Sequence, residues 1–154
     1  IYASNHAIST NYVSLKRLMP KVLGDVLPKE ISYLGRIEFN GNTTITKTTL
    51  TTSSTLISSL GAAKINANIH NLNDEEKATY IGDIEFKNFD LGSLANTESL
   101  GTITSKLNIE GVGFTQKSLD AKVIGEINSF IFENYNYKNI LLHKQGDDGW
   151  YQKR

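Results

Sequence analysis

The chain has 154 residues, with 16 Lys or Arg balanced by 16 Asp or Glu, no Cys and two Pro. This length fits a single domain. The lack of a positive excess argues against nucleic acid or an anionic membrane surface as a partner. The absence of Cys excludes disulfides and a cysteine nucleophile. No stretch approaches 18 apolar residues and no export signal is visible, so we expect any membrane anchor or leader to lie outside these residues.

The composition favours β-structure. Ile, Thr and Asn are abundant, and seven Tyr and six Phe accompany them. β-branched and aromatic side chains suit a pleated surface, while Asn and Gly suit the turns between strands. A hydrophobic fraction of 39% is low for a protein with a large closed interior. We therefore expect strands that have one apolar face.

Residues 1–27 are predicted to be an irregular lead-in with a short helix. Residues 12–19 are typical of the beginning of a strand. Residues 20–28 are bounded by two prolines and place Val22, Leu23, Val26 and Leu27 on one helical face. This segment is the predicted short helix.

From residue 28 onwards, apolar and polar residues alternate. The alternation recurs in five segments, which is typical of strands with one dry and one wet face. The apolar positions are Ile37, Phe39, Ile65, Ala67, Ile69, Ile84, Phe86, Ile103, Leu107, Ile109, Leu119, Ala121, Val123 and Ile127.

Turn chemistry separates these segments. Residues 40–42, Asn-Gly-Asn, predict a hairpin turn, and residues 89–95 predict a short helix capped by Asp90. We expect the Thr-rich run 43–55 to form edge strands whose hydroxyls face water. The form Gly-polar-Ile begins at Gly35, Gly82, Gly101 and Gly125, with a looser copy at Gly61. This repeat indicates either a bend at one level of every second strand or glycines placed wherever turns need them.

Catalytic constellations are absent from the sequence. None of the three histidines, His6, His70 and His143, has a partner at metal-ligand spacing. No nucleophile elbow, phosphate-binding loop or zinc-protease motif occurs. The acidic clusters 74–76 and 147–148 lie in predicted turns, where solvation explains them better than acid/base chemistry does. We expect no enzymatic activity, no cofactor and no metal.

The apolar side of the predicted sheet must be covered, because no long helix is available to pack on it. It can fold against a second sheet, close into a barrel or curl around a ligand. A contiguous apolar patch without directional polar groups suits acyl chains or unfolded apolar polypeptide segments. The residues predicted to line such a groove are Ile37, Phe39, Ile65, Ile69, Ile84, Phe86, Ile103, Leu107, Ile109, Leu119, Val123 and Ile127.

Residues 28–142 resemble a known family. The segments that carry the likeness are residues 33–41 (YLGRIEFNG), 80–94 (YIGDIEFKNFDLGSL) and 135–140 (YNYKNI). They are similar to a stretch of the TamB-like translocation and assembly proteins of the Bacteroidetes type, within the AsmA-like superfamily. The predicted organisation is a lead-in over 1–27, a TamB-like β domain over 28–142 and a tail over 143–154.

The resemblance implies an all-β fold: an elongated, curled antiparallel sheet with an apolar groove and one or two short helices. It implies a periplasmic segment of a parent protein anchored in the inner membrane, which docks through other regions on an outer-membrane barrel of the BamA/TamA type. The groove would bind or conduct phospholipid acyl chains and support outer-membrane biogenesis. Two alternatives stay open: a chaperone-like scaffold for outer-membrane protein strands, and a purely structural β-sandwich.

Overall fold

The structure is a computed structural model that describes residues 2–18, 29–115, 117–144 and 150–153. In these residues nine strands form one antiparallel sheet, and each strand pairs with its neighbours along the chain. The strands are β1 (Tyr2–Thr10), β2 (Ile37–Ile45), β3 (Thr49–Ser58), β4 (Gly61–His70), β5 (Thr79–Asp90), β6 (Leu100–Val112), β7 (Asp120–Phe132), β8 (Tyr135–Lys144) and β9 (Trp150–Lys153). The first and last strands lie at opposite edges, so the sheet stays open.

Three short helices accompany the sheet: α1 (Tyr12–Leu18), a 3₁₀-helix (Lys29–Leu34) and α2 (Leu91–Ala95). The predicted all-β fold, a curled antiparallel sheet with short helices, is confirmed, with one helix more than the one or two expected. The predicted Asp90 cap is confirmed as well, because its side chain accepts a hydrogen bond from the Ser93 N–H at the start of α2.

The lead-in and the tail belong to the sheet. β1 pairs with β2 where we predicted irregular structure, and β9 extends the sheet within the predicted tail. Residues 12–18 are helical where a strand was predicted, because the Asn11 side chain caps α1 by accepting from the Ser14 N–H. The boundaries predicted at 27/28 and 142/143 are therefore not boundaries of the sheet. The helix predicted over 20–28 falls outside the described residues.

The pairing register places the alternating apolar side chains on one side of the sheet, which we call the apolar face. Ile84 of β5 pairs with Ile65 of β4 and with Leu107 of β6, and residues directly opposite in a ladder point to the same side. The other side, the polar face, carries Lys64, Glu85, Lys106 and Glu126 in one row across β4 to β7.

A bulge in β5 extends the apolar face. Phe86 and Phe89 are three residues apart, a spacing that in a regular strand would send them to opposite faces. The register shifts between them, and Asn88 takes a φ of 46°. The shift returns Phe89 to the apolar face, where its ring centroid lies 5.1 Å from that of Phe86.

The buried core lies at one end of the apolar face, which we call the closed end. It consists of Leu34, Ile37, Ala63, Phe89 and Ile103, each at most 6% exposed. Side chains from all three helices pack against it, namely Leu15, Ile31, Leu91 and Leu94. The helices thus supply a second layer at this end of the sheet.

The Thr-rich run does not form edge strands. β2 and β3 lie between β1 and β4, and the side chains of Thr52 and Ser54 are buried, at 8% and 4% exposure. The expectation that the hydroxyls face water is wrong for these residues, because alternation along β3 sends every second side chain to the apolar face.

Two glycines sit inside strands in a backbone conformation that other residues rarely adopt. Gly41 in β2 has a φ of 149° and Gly125 in β7 a φ of 142°. A Cβ on Gly125 would lie 2.2 Å from the carbonyl oxygen of Lys106 on the neighbouring strand. The hairpin predicted at residues 40–42 is wrong, because these residues lie inside the continuous strand β2.

The Gly-polar-Ile repeat does not mark one level of the sheet. Gly82 and Gly125 are interior to β5 and β7, but Gly35 precedes β2 in a turn with a φ of 66°. Gly61 and Gly101 lie at the beginnings of β4 and β6. Gly35, Gly61 and Gly101 therefore fit the second interpretation of the repeat, in which glycines occur wherever turns need them.

We expect Gly125→Ala to lower the free energy of unfolding by about 2 kcal/mol, because the added methyl meets backbone atoms and the φ angle is strained for alanine. Urea unfolding followed by circular dichroism measures the change. Lys122→Ala, on the exposed side of the same strand, is the control and should change stability by less than about 0.5 kcal/mol. Equal stability of the two variants would contradict the backbone conformation and close approach assigned to Gly125.

Candidate functional site

The register brings eleven of the twelve predicted groove residues to the apolar face. They are Ile37, Phe39, Ile65, Ile69, Ile84, Phe86, Ile103, Leu107, Ile109, Val123 and Ile127. Leu119 precedes β7 in a loop, where its backbone N–H donates to Thr115 and its side chain is 59% exposed. Leu119 follows the alternation in sequence but lies just outside the ladder.

Two of the eleven do not line an open surface. Ile37 and Ile103 are 4% and 5% exposed and belong to the closed end, beneath the helices. Their prediction as groove residues is wrong, because helices that the periodicity of the strands does not encode cover them. Phe39, at the same end of β2, is half-buried and stacks on the His6 ring of β1, with centroids 5.5 Å apart.

Ile65, Phe86 and Ile127 also lie on the apolar face and pack, half-buried, against the closed end. The other five predicted residues form what we call the open half: Ile69, Ile84, Leu107, Ile109 and Val123. All five are half-buried. Residues of the same kind on the polar face are more exposed, at 49% for Ile81 and 41% for Ile124. The side chains of the open half are therefore more shielded than residues of the same kind on the polar face.

An aromatic pair borders the open half at the end far from the helices. Tyr80 of β5 stacks on Phe114, with ring centroids 5.1 Å apart. Burial, together with the carboxylate of Asp120, raises the pKa of the Tyr80 hydroxyl. Tyr80 is on the apolar face opposite Ile69 and Gly111. The alternation could have identified Tyr80, whereas nothing in the sequence indicates that the loop residue Phe114 folds onto it.

A group of polar side chains interrupts the apolar face on β1 to β3. We call His6, Thr43, Thr52 and Ser54 the polar corner. The Thr43 Oγ1 lies 2.9 Å from the His6 Nε2 and 2.9 Å from the Thr52 Oγ1, and the Ser54 Oγ lies 2.8 Å from the Thr52 Oγ1. Sequence reasoning missed this site, because it assigned the threonines to a solvated edge.

Ser105 is a further polar residue on the apolar face. It sits between Phe86 and Ile127 in the ladder and is 1% exposed. Its hydroxyl has no hydrogen-bond partner in the part of the chain that the structure describes. A buried unpaired hydroxyl costs about 1–3 kcal/mol, so this position lowers the stability of the sheet at the border of the closed end.

The polar face carries an open depression of about 730 Å³ across β4 to β8. Lys64, Glu85, Lys106 and Glu126 line it with alternating charge, and the Lys106 Nζ lies 3.8 Å from the Glu85 Oε1. Opposite charges that face each other across strands largely neutralise one another. Asp83 also lines this depression, so the surface carries one carboxylate more than it has ammonium groups.

The described residues hold no group of three or more His, Cys, Asp or Glu side chains that could bind a metal ion. The Asp74 carboxylate accepts hydrogen bonds within its own loop, from the backbone N–H groups of Glu76 and Lys77. The other predicted acidic cluster, 147–148, falls outside the described residues. In the described part of the chain, no helix has both the length and the apolar character to cross a membrane.

Comparisons with protein-family models, with curated proteins and with solved structures find no match to this chain. The resemblance of residues 28–142 to TamB-like proteins therefore stays a prediction.

The closed end and the open half should respond differently to the same substitution on one strand. Ile103→Ala removes a fully packed side chain and should lower the free energy of unfolding by about 3–4 kcal/mol. Ile109→Ala removes a half-buried one and should cost about 1–2 kcal/mol. Urea unfolding of both variants measures the difference, and equal losses would contradict the division of the face.

The cap of α2 gives stability a dependence on pH. Hydrogen bonds from the Ser93 hydroxyl and backbone N–H lower the pKa of the Asp90 carboxyl below its ordinary value of 3.8. The ionised form is therefore favoured in the folded state, so its contribution is present above pH 3.8 and is lost as the pH falls through the lowered value.

We expect Asp90→Ala to cost about 1 kcal/mol at pH 7, and the difference from the wild type should shrink below pH 3.8. Urea unfolding between pH 7 and pH 2.5 measures it. Glu98→Ala, at an exposed position, is the control. A difference that stays constant or grows on acidification would refute the role of the carboxylate.

Proposed function

We propose that the open half of the apolar face binds the acyl chain of a lipid. The observation that carries the proposal is the pair Ile84 and Leu107, joined by Ile69, Ile109 and Val123, which are half-buried by their own neighbours. Such a surface lacks directional polar groups and recognises length and apolar character rather than chemical detail.

The dimensions support a chain-like ligand. β4 to β7 span about 14 Å at a strand spacing of about 4.8 Å, and in the described part of the chain the helices pack at the closed end of this face. Ten methylenes buried there would contribute about 8 kcal/mol at about 0.8 kcal/mol each. This exceeds the lower estimates, about 4 kcal/mol, of the cost of immobilising a ligand, so binding of part of a chain is sufficient.

The family resemblance extends the proposal to a cellular role. In that role the chain is a periplasmic segment of a TamB-like protein anchored in the inner membrane, and its groove conducts phospholipid towards the outer membrane. Docking on a BamA/TamA-type barrel would involve regions outside this chain. The proposed role is binding rather than catalysis, and it requires no cofactor and no nucleic acid.

A second candidate ligand is an apolar polypeptide segment, as in a scaffold for outer-membrane protein strands. The edge position of β1 favours it, because the outward backbone groups of an edge strand can pair with an added strand. Ile8 and Tyr2 on this strand are exposed, at 43% and 76%. Strand addition uses the edge, whereas acyl binding uses the apolar face, so the two are separable by mutation.

Ile84→Asp should abolish binding of phospholipid, because it places a charge in the centre of the open half, where burying it is costly. Ile81→Asp is the matched control: it lies on the same strand but on the polar face, at 49% exposure, and should bind lipid as the wild type does. Native mass spectrometry after incubation with phosphatidylethanolamine vesicles measures lipid capture, and circular dichroism checks that both variants fold.

Lipid capture by both variants alike, or by neither the wild type nor the control, would overturn the proposal. Loss of folding in Ile84→Asp alone would indicate an ordinary closed core and would also count against it. Retention of an apolar peptide by Ile84→Asp, with lipid lost, would assign peptide binding to the sheet edge.

A further inference from the structure

The polar corner is a hydrogen-bonded chain set into the apolar face. The Thr52 Oγ1 makes three hydrogen-bond contacts, to Thr43, Ser54 and the Asn42 carbonyl oxygen, at 2.9, 2.8 and 3.3 Å. Thr52 and Ser54 are buried, whereas Thr43 and His6 are half-buried. The hydrogen-bonded series therefore runs from the buried Ser54 and Thr52 on β3 to the half-buried Thr43 and His6 on β2 and β1, which we call the reachable end.

Apolar side chains surround this corner. Along β2 and β3 the next residues on the same face are Phe39 and Leu56 on one side and Ile45 and Leu50 on the other. Ile65 of β4 pairs with Ser54 on one side and with Ile84 on the other, so it lies between the polar corner and the open half. A ligand lying along the open half would therefore meet the polar corner at the β2–β3 side of the face.

The tautomer of His6 determines which hydrogen-bonding position of the Thr43 hydroxyl stays unused within the polar corner. The His6 Nδ1 lies 3.3 Å from the Phe39 carbonyl oxygen, which can only accept, so in neutral His6 the proton is on Nδ1 and Nε2 accepts from the Thr43 hydroxyl. Thr43 then donates to His6 and accepts from Thr52, whose single proton is shared between Thr43 at 2.9 Å and the Asn42 carbonyl oxygen at 3.3 Å. A hydroxyl has one donor and two acceptor positions, so Thr43 keeps one lone pair at the reachable end.

We propose that this lone pair of Thr43 binds the hydroxyl group of an amphiphile whose chain lies on the open half. The inference rests on the proposed function, because it names the ligand class for the same surface. A free acceptor calls for a donor, which excludes a bare ester or ether oxygen as its partner. An ammonium group also donates, but the polar corner contains no carboxylate to compensate for its desolvation, so a neutral hydroxyl fits better.

The test compares two ligands that differ only in the donor: 1-dodecanol and 1-methoxydodecane, each displacing the fluorescent apolar probe N-phenyl-1-naphthylamine. The wild type should bind the alcohol about fivefold more tightly than the ether. Thr43→Val, of the same shape without the hydroxyl, should bind both equally and keep its affinity for the probe. Thr43→Ser should retain the preference.

Thr51→Val is the matched control, because Thr51 is exposed on the polar face of β3, and it should behave as the wild type. If Thr43→Val does not fold, Thr43→Ala replaces it. Equal affinities for alcohol and ether in the wild type, or a preference that survives in Thr43→Val, would overturn the inference and leave acyl binding standing. Failure of the wild type to bind the probe and both ligands would instead overturn the proposed function.

Discussion

The antiparallel hydrogen-bond ladder is the constraint on which the rest of this protein depends. Side chains alternate strictly between two faces as long as the register holds, and the pairing from β2 to β5 runs without a shift. One apolar face follows directly from a sequence that alternates. Where the register does shift, in β5, the bulge at Asn88 keeps Phe89 on that face and so supplies the core with its largest buried side chain.

Within the described residues, the two ends of the apolar face differ because the helices cover one of them. At the closed end, side chains of the helices complete a small core around Ile37 and Ile103. On the open half, Ile84 and Ile109 are shielded by their neighbours in the sheet. Stability is therefore concentrated at the closed end, and the surface proposed to bind a ligand lies outside that core. In this proposal, one alternating pattern provides both the core and the binding surface.

Polar residues on the apolar face divide into two kinds. The hydroxyl of Ser105 is buried without a partner and only lowers stability. The polar corner is hydrogen-bonded from Ser54 through Thr52 and Thr43 to His6, and Thr43 keeps one lone pair at the half-buried end. Its location beside Ile65 makes the proposed binding surface amphipathic rather than uniformly apolar. A ligand with both a chain and a hydroxyl would use both parts, which gives this surface a source of selectivity that an apolar row lacks.

The alternation of apolar and polar residues was sufficient to predict the all-β class and to place eleven of twelve candidate residues on one face, because a period of two is a local property of each strand. The cap of α2 was predictable for the same reason, since Asp90 acts within three residues. The structure alone decided that Ile37 and Ile103 are covered, that Thr52 and Ser54 are buried, and that β1 and β9 join the sheet. These outcomes depend on contacts between segments distant in sequence, such as α2 with the 3₁₀-helix and His6 with Thr43. The periodicity of a single strand does not encode such contacts.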